Sequence, residues 1–349
     1  MKALKFKQNI MKFGTLLIAT LISGLFSVSC NNSGEGGDPY KKNVSGKAGE
    51  VIVVIAKENW EGKSGEALKE VLACDYPMLP QREPAFNLIN IPDNAFNDIF
   101  RSHRNIVMVT LNASSEKREV VINRDLWAKP QIVVRVQAPS DSAAANLINS
   151  KSELIFNAID QIEKDRLIRN AKRYEQRDIR PIVAEMFGGS PYFPNGYSIR
   201  KQNENFIWVG YETSYTIQGV LIYKLPYNGV EFPSKEEILE KQSAVLKQNV
   251  PGMFEGTYMI ISKAPEVVPT MKTYKYKNDN FVEIRGLWEV EGDFMGGPFV
   301  EHIRYAKEEG KLLVIQAFVY APRYKKRNYL RQVESILYSF EWQENFSNQ

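Results

Sequence analysis

Lys311-Leu312-Leu313-Val314-Ile315-Gln316-Ala317-Phe318-Val319-Tyr320 reads as a hydrophobic strand, and Ala321-Pro322 breaks it. The helix expected next, over 324–340, puts Leu330, Val333, Ile336, Leu337 and Phe340 on one stripe. A strand that turns into an amphipathic helix can bury both apolar surfaces in one core. Upstream, strands are expected at 271–277, 280–291 and 299–308. They are preceded by a helix over 234–248, whose Ser234 and Glu237 have the spacing of a capping box. Aromatic and β-branched runs at 198–202, 205–212 and 217–225 add three more strands.

Farther back, Glu50-Val51-Ile52-Val53-Val54-Ile55-Ala56 is a continuous apolar run, as in a strand buried on both faces. A short amphipathic helix follows at 62–72, then strands at 86–91, 105–111 and 131–137, with a helical turn from Asp93 or Asn94 through Phe100. One long helix is expected from 142 to 174, because Leu147, Ile148, Leu154, Ile155, Ala158, Ile159 and Ile162 recur near a 3.6-residue period. Pro181, Gly188-Gly189, Pro191, Pro194 and Gly196 make 178–197 a turn-rich junction. The class is α+β: two small, mostly antiparallel sheets with packed helices, in an N-terminal domain at 49–180 and a C-terminal domain at 181–349.

The ending, a hydrophobic strand into Ala321-Pro322 and a helix closing on Ser339-Phe340, resembles that of the PsbP/Mog1-like family. The likeness covers about 120 residues and carries no catalytic motif; it implies an α-β-α sandwich for the C-terminal half.

Residues 1–29 have the parts of an export signal. Lys2, Lys5, Lys7 and Lys12 precede an apolar stretch from Phe13 to Phe26, and Ser27-Val28-Ser29 follow. At about 14 residues the stretch is shorter than the roughly 20 that span a bilayer. It ends at Cys30, and Ser29-Cys30 resembles a bacterial lipoprotein lipobox, with Ser27 where leucine is usual. Such relaxed boxes are similar to those of Bacteroidota lipoproteins, and the course of 49–342 resembles a family of that group whose domain has no assigned function. The resemblance implies a lipid on Cys30, with a plain secretory signal as the alternative. Residues 30–48 would then be the lipidated cysteine and a Gly/Ser/Asn tether, whose ends as a coil lie about 23 Å apart. Only Glu35 and Asp38 stand for the acidic cluster of surface-exported relatives, which favours an outer-membrane anchor facing the periplasm over surface exposure.

Of the chain's 349 residues, 45 are Lys or Arg and 41 are Asp or Glu. The four leader lysines account for the whole excess, so the mature chain is balanced and no nucleic-acid partner is expected. The second cysteine, Cys74, follows Leu68, Val71 and Leu72 and reads as a buried, inert thiol. With two histidines, His103 and His302, and one spare cysteine, neither a metal site nor a cofactor is expected. Phosphate loops fail on spacing: the glycine that Gly62-Lys63-Ser64 would need is Lys57.

The candidate sites are few. Glu289, Glu291 and Glu283 share one face of an expected strand, and His302 and Arg304 share a face of the next. Across a hairpin they would form either an acid–base set or a solvent-side charge ladder. Tyr192, Phe193, Tyr197 and Trp208 gather near the junction, as cleft-lining rings or as core. Basic clusters stand at Arg166–Arg180 and at Arg323, Lys325, Lys326, Arg327 and Arg331, either as charged surface or as contacts for an acidic partner. Asp141-Ser142-Ala143 resembles the O-glycosylation sequon of Bacteroidota exported proteins, although Ser142 or Ser140 also suits a helix N-cap. The sequence therefore supports a lipid-anchored cell-envelope protein, non-enzymatic, that binds an envelope protein, glycan or lipid. An envelope hydrolase using carboxylates or serine, or a structural subunit of an envelope assembly, is the alternative.

Overall fold

The computed structural model describes residues 41–348 other than 228, 230, 278 and 307–309, and residues 41–349 form one compact unit. The export signal, Cys30 and 31–40 lie outside the described residues. Two sheets organise the fold, and the class is α+β. The first contains β1 (Glu50–Val54), β2 (Asn87–Ile91), β3 (Asn105–Leu111), β4 (Glu119–Arg124) and β5 (Ile132–Ala138), in the order β2-β1-β3-β5-β4. Its β1–β2, β1–β3 and β3–β5 pairs are parallel and only β4 runs antiparallel, which corrects the expectation of a mostly antiparallel sheet here. The doubly buried β1 already points that way: Val51 and Val53 enter the main core, while Ile52 and Val54 enter a small cluster with Ile106 and Val133 on the other face.

Helices α1 (Lys63–Leu72), α2 (Asp141–Ser150) and α3 (Ser152–Arg173) pack on this sheet. The single helix expected over 142–174 is broken at Lys151, which has φ −116° and ψ 19°. Ser150 there donates its hydroxyl back to the Leu147 carbonyl, a bond that competes with helix continuation. Residues 41–48 are not a free tether: Lys42–Asn43 pairs in parallel with Ala128–Lys129, and Ser45 donates its backbone N–H to Ser102.

After α4 (Ile179–Phe187), closed by left-handed Gly188 at φ 77°, the chain builds an antiparallel sheet of eight strands. These are β6 (Ser198–Asn203), β7 (Phe206–Glu212), β8 (Ile217–Pro226), β9 (Tyr258–Ile261), β10 (Thr270–Tyr276), β11 (Asp279–Glu291), β12 (Gly296–Tyr305) and β13 (Lys311–Tyr320). Their order is β9-β11-β12-β13-β8-β7-β6, with β10 also paired to the long β11. One face is covered by α5 (Lys235–Asn249), which starts with the expected Ser234–Glu237 capping box and buries Ile238 and Leu246 against Leu221, Ile284, Phe299 and Val314. The other is covered by α6 (Arg327–Tyr338), whose Leu330, Val333, Ile336 and Leu337 pack on Val300, Leu313, Ile315 and Ala317. The same apolar cluster continues into β1, β3, β5 and α1–α4, so one core serves both sheets.

A buried ionic knot fastens α3 to the first sheet. The Glu163 carboxylate accepts from the Gly49 backbone at 3.1 Å, Arg104 Nε at 2.8 Å, Asn105 Nδ2 at 2.8 Å and Arg166 Nη1 at 2.5 Å. Arg166, first read as part of a basic surface, is therefore structural. Replacing Glu163 by Ala leaves two desolvated guanidinium groups without their anion, so urea denaturation should show a loss of about 3–5 kcal/mol. A loss below about 1 kcal/mol would show that water reaches the knot.

Candidate functional site

The eight-stranded sheet, α3 and α6 enclose a cleft of about 410 Å³. Its wall holds Phe156, Asn157, Asp160, Gln161 and Lys164 from α3, one helical face spaced three and four apart. Strand β10 supplies Tyr274 and Tyr276, and the floor is Arg285 of β11 with Glu334 and Tyr338 of α6. Tyr76, in the loop after α1, closes one end. Tyr274 is 36% exposed and stacks on Phe281 at 6.0 Å. Tyr276 meets Tyr338 edge-on at 4.9 Å and accepts from Gln161 Nε2 at 3.1 Å.

The floor is charged and desolvated. Arg285 Nη2 donates to Glu334 Oε1 at 2.5 Å and Arg285 Nε to Glu283 Oε1 at 2.6 Å, so one guanidinium bridges two buried carboxylates. Tyr76 also donates its hydroxyl to Glu334 at 2.6 Å, and Tyr338 donates to Glu283 at 3.1 Å. The Lys164 ammonium lies 3.5 Å from the Tyr338 ring centroid and 4.0 Å from Glu334. Asp160 takes Arg331 at 3.1 Å. Burial alone would raise the Glu334 carboxyl, but Arg285 and Lys164 outweigh it and hold it below the carboxylate range. Glu283 is likewise driven down: burial is overcome by Arg285 and by the hydrogen bond from His302.

The residues singled out from sequence fall in several places. His302 is fully buried beneath α6, with Nε2 3.3 Å from Glu283 Oε2. Its partner is Glu283 and not Glu289 or Glu291, because β11 and β12 turn so early that Glu289 faces Gly296 and Glu283 faces His302. Neither a solvent-side ladder nor a set built on Glu289 and Glu291 is formed. Glu289 accepts from Ser262 at 3.1 Å, and Glu291 is exposed opposite Tyr258. Arg304, almost fully buried, donates to Asp279 at 2.7 Å.

The junction rings do not share one cleft. Phe193 is core, Tyr192 donates its hydroxyl to Glu341 at 2.8 Å, and Tyr197 donates to Gln218 at 2.9 Å. Trp208 packs on the opposite, α5-facing side of the sheet. Lys326, Arg327 and Arg331 are buried rather than a basic surface; the backbone N–H groups of Lys326 and Arg327 donate to Glu83, so an acid from the first half caps α6. Cys74 is exposed, not buried, and partial burial raises its thiol. Exposed Ser142 takes Lys63 Nζ at 3.3 Å; the N-cap is Ser140, while Asp141 accepts from the backbone N–H groups of Lys63 and Ser64 and the Ser64 hydroxyl. The floor residues Arg285 and Glu334 were missed. Glu334 interrupts the apolar stripe of α6, which was the one available signal. Among the described residues no group of His, Cys, Asp or Glu has metal-holding geometry.

Residues 44–172 match a family model described as Domain of unknown function (DUF8532), and residues 176–339 match Domain of unknown function (DUF4837). The chain carries two domains of unknown function. The cleft draws on both matched stretches, α3 lying almost wholly in the first and β10, β11 and α6 in the second. No curated protein matches the chain. Among solved structures, the human StarD13 (DLC2) lipid transfer and protein localization domain is 13% identical, covering 42% of this chain and 89% of that chain at a TM-score of 0.21. LpqN, involved in cell envelope biogenesis of Mycobacterium tuberculosis, is 13% identical, covering 43% and 81% at a TM-score of 0.24. Both superpositions are too loose to bear on fold or function.

Two adjacent side chains on β12 make stability depend on pH in opposite senses. Burial lowers His302 from 6.5 to about 4, so between those values the unfolded chain binds the extra proton and acid destabilises the fold. Burial raises Glu301 from 4.5 to about 8, so across that interval the folded chain holds the extra proton and rising pH destabilises it. Glu301→Gln should match the parent in denaturation midpoint near pH 4, below the unfolded carboxyl's 4.5, and exceed it at pH 8. Parallel pH profiles for the two proteins would show that Glu301 ionises freely in the fold.

Proposed function

We propose that this is a lipid-anchored cell-envelope protein, non-enzymatic, that binds a neutral saccharide in the cleft between α3, β10 and α6. The observation that carries the reading is the half-exposed Tyr274 and Tyr276 standing over a rigid floor whose charges are already paired. Aromatic faces stack on the apolar faces of sugar rings, while Asn157, Gln161 and Asp160 offer polar contacts along the wall. Of the cations that line the cleft, Arg285 and Lys164 each stand against a buried carboxylate, so a phosphate or sulfate there would compete with an internal acid. A neutral polyol would not.

The hydrolase alternative is less well supported. Cleaving a glycosidic bond takes a carboxyl that is still protonated near neutral pH as well as one that is ionised. Glu334 and Glu283 are held low by Arg285, and the raised acid, Glu301, lies on the other face of the sheet. The anchor rests on the export signal and lipobox ending at Cys30. Its attachment to the outer membrane on the periplasmic side, and its origin in a Bacteroidota-type envelope, belong to the same proposal. So do the division into domains at 49–180 and 181–349 and the kinship of the C-terminal layers with PsbP/Mog1-like sandwiches. Among the described residues no helix is long and apolar enough to cross a membrane, and a lipid would supply attachment by itself.

Two measurements test this. Isothermal titration against neutral envelope oligosaccharides should give saturable binding that Tyr274→Ala weakens about tenfold, the upper range of one aromatic contact. A panel with no binding at millimolar concentrations, on protein of unchanged circular dichroism, would remove the saccharide. Separately, Cys30→Ala should move the protein from the membrane fraction to the soluble fraction; a variant that stays in the membrane fraction would remove the lipid anchor.

A further inference from the structure

The first sheet is covered unequally. Helices α1–α3 pack on the face of Val51 and Val53. On the other face, among the described residues, Ile52, Val54, Ile106 and Val133 are covered by no helix of that layer but by Phe96, Phe100, Leu126 and Trp127, from the turns at 93–101 and the loop before β5. The Phe96 and Trp127 rings meet at 5.9 Å, and both are half-buried, as is Phe100. Ile99, in the same turn, is 78% exposed. Ile89 of β2 pairs with Ile52 and so shares its face, where it is 39% exposed. Arg101 lies over the Trp127 ring at 5.8 Å and takes Asp98 at 2.7 Å, so its charge is already matched. Rings with one side buried and the other wet, beside a projecting aliphatic side chain, suit the headgroup level of a bilayer.

The chain enters the fold at this same place. Lys42–Asn43 pairs with Ala128–Lys129, directly after Trp127, and the Lys41 ammonium donates to the Asp125 carbonyl at 2.5 Å. Ser45 donates its backbone N–H to the Ser102 carbonyl and accepts from the Arg104 backbone, next to the exposed turn. Cys30 stands eleven positions before Lys41. Eleven residues, even fully extended, span at most about 40 Å. A compact unit the length of 41–349 has a radius of gyration of about 19 Å and is therefore about 50 Å across. A bilayer that holds Cys30 is within reach of the surface around Lys41 and out of reach of the opposite side. Met253, also strongly exposed at 77%, follows α5 on the other sheet and is not part of this entry point.

We propose that the Phe96–Arg101 turn and Trp127 form a membrane-contact surface, which seats the protein on the phospholipid layer holding its lipid, with Ile99 inserted among the headgroups. The inference rests on the anchor proposed above and adds an orientation to it: the thinly covered face of the first sheet is turned towards the bilayer. It does not depend on saccharide binding in the cleft.

The test uses the protein purified from its envelope and reconstituted in vesicles of phosphatidylcholine and phosphatidylethanolamine. A nitrobenzoxadiazole label is attached to Ile99→Cys or, in separate preparations, to Met253→Cys or Glu204→Cys, each combined with Cys74→Ser because the native Cys74 thiol is exposed. All three labelled positions are exposed, so the fold is not at stake. With phosphatidylcholine spin-labelled on its headgroup, the label at position 99 should lose at least about half its emission, as expected for a group seated at the headgroup boundary, while those at 204 and 253 keep theirs. Ile99→Glu, read from a label on the exposed Asn94→Cys, should reduce that quenching at least about twofold. An intact mass without lipid on Cys30 would overturn the anchor and this inference with it. A lipid-bearing protein whose label at 99 is quenched no more than the one at 204 would overturn the membrane contact and leave the anchor standing. Stronger quenching at 253 than at 99 would turn the other sheet towards the bilayer and overturn it equally.

Discussion

The arrangement of helix α6 depends on the guanidinium of Arg285, caught between Glu283 of its own strand and Glu334 of the helix. All three groups are withdrawn from water, and an ion removed from water is tolerated only with a partner in good geometry. Sliding α6 by one turn would leave a buried charge without its counterion. The hydrogen bond from Tyr76 to Glu334 extends the constraint into the first half of the chain, and Glu83 fixes the start of the helix. Apolar packing alone would accept several registers of a Leu/Val/Ile stripe. The ionic chain selects one, and with it the position of the cleft floor.

The eight-stranded sheet then separates two chemical environments across the thickness of one strand. Glu301 and His302 are sequence neighbours, both fully buried, and point to opposite faces. Under α5, Glu301 has a neutral amide partner, Gln242 Nε2 at 2.7 Å, so burial keeps its proton on. Under α6, His302 sits beside Arg304 and the floor charges, and burial keeps its proton off despite the favourable bond to Glu283. One physical cause, exclusion of net charge from the interior, gives opposite pH responses because one group is an acid and the other a base.

The sequence made the elements far more legible than the site. Periodicity located 105–111 and 311–320 to the residue, and the Ser234–Glu237 box placed the start of α5. It overlooked β4, whose side chains are half-exposed at a sheet edge, and the four-residue β9, which has too few positions to show alternation. Strand pairing was out of reach: whether Glu283 or Glu289 meets His302 depends on where the β11–β12 hairpin turns. The cleft was harder still, for it joins Tyr76, Asp160, Tyr274, Arg285 and Glu334, which only the tertiary fold brings together. Charge runs were misleading in the same way. Arg327 and Arg331 read as surface because the groups that bury them, the Pro84 carbonyl and Asp160, lie far off in sequence, and Arg166, only three residues from Glu163, is buried by equally remote partners, Asn105 and the Pro130 carbonyl.

The aromatic residues show the same limit and what resolves it. A run such as Tyr192, Phe193 and Tyr197 is conspicuous in the sequence, yet Phe193 is sealed in the core and the hydroxyls of Tyr192 and Tyr197 are bound internally. Tyr274 and Tyr276 are less conspicuous, on a strand otherwise filled with Lys and Thr, but that strand lies at a sheet edge, where ring faces stay open. Recognition needs a ring whose body is supported and whose face is free. Phe281 and Tyr338 supply the support here, and the edge position of β10 leaves the face accessible. Density of aromatics in a sequence measures core formation; a ring's position in the sheet decides whether it remains open to a ligand.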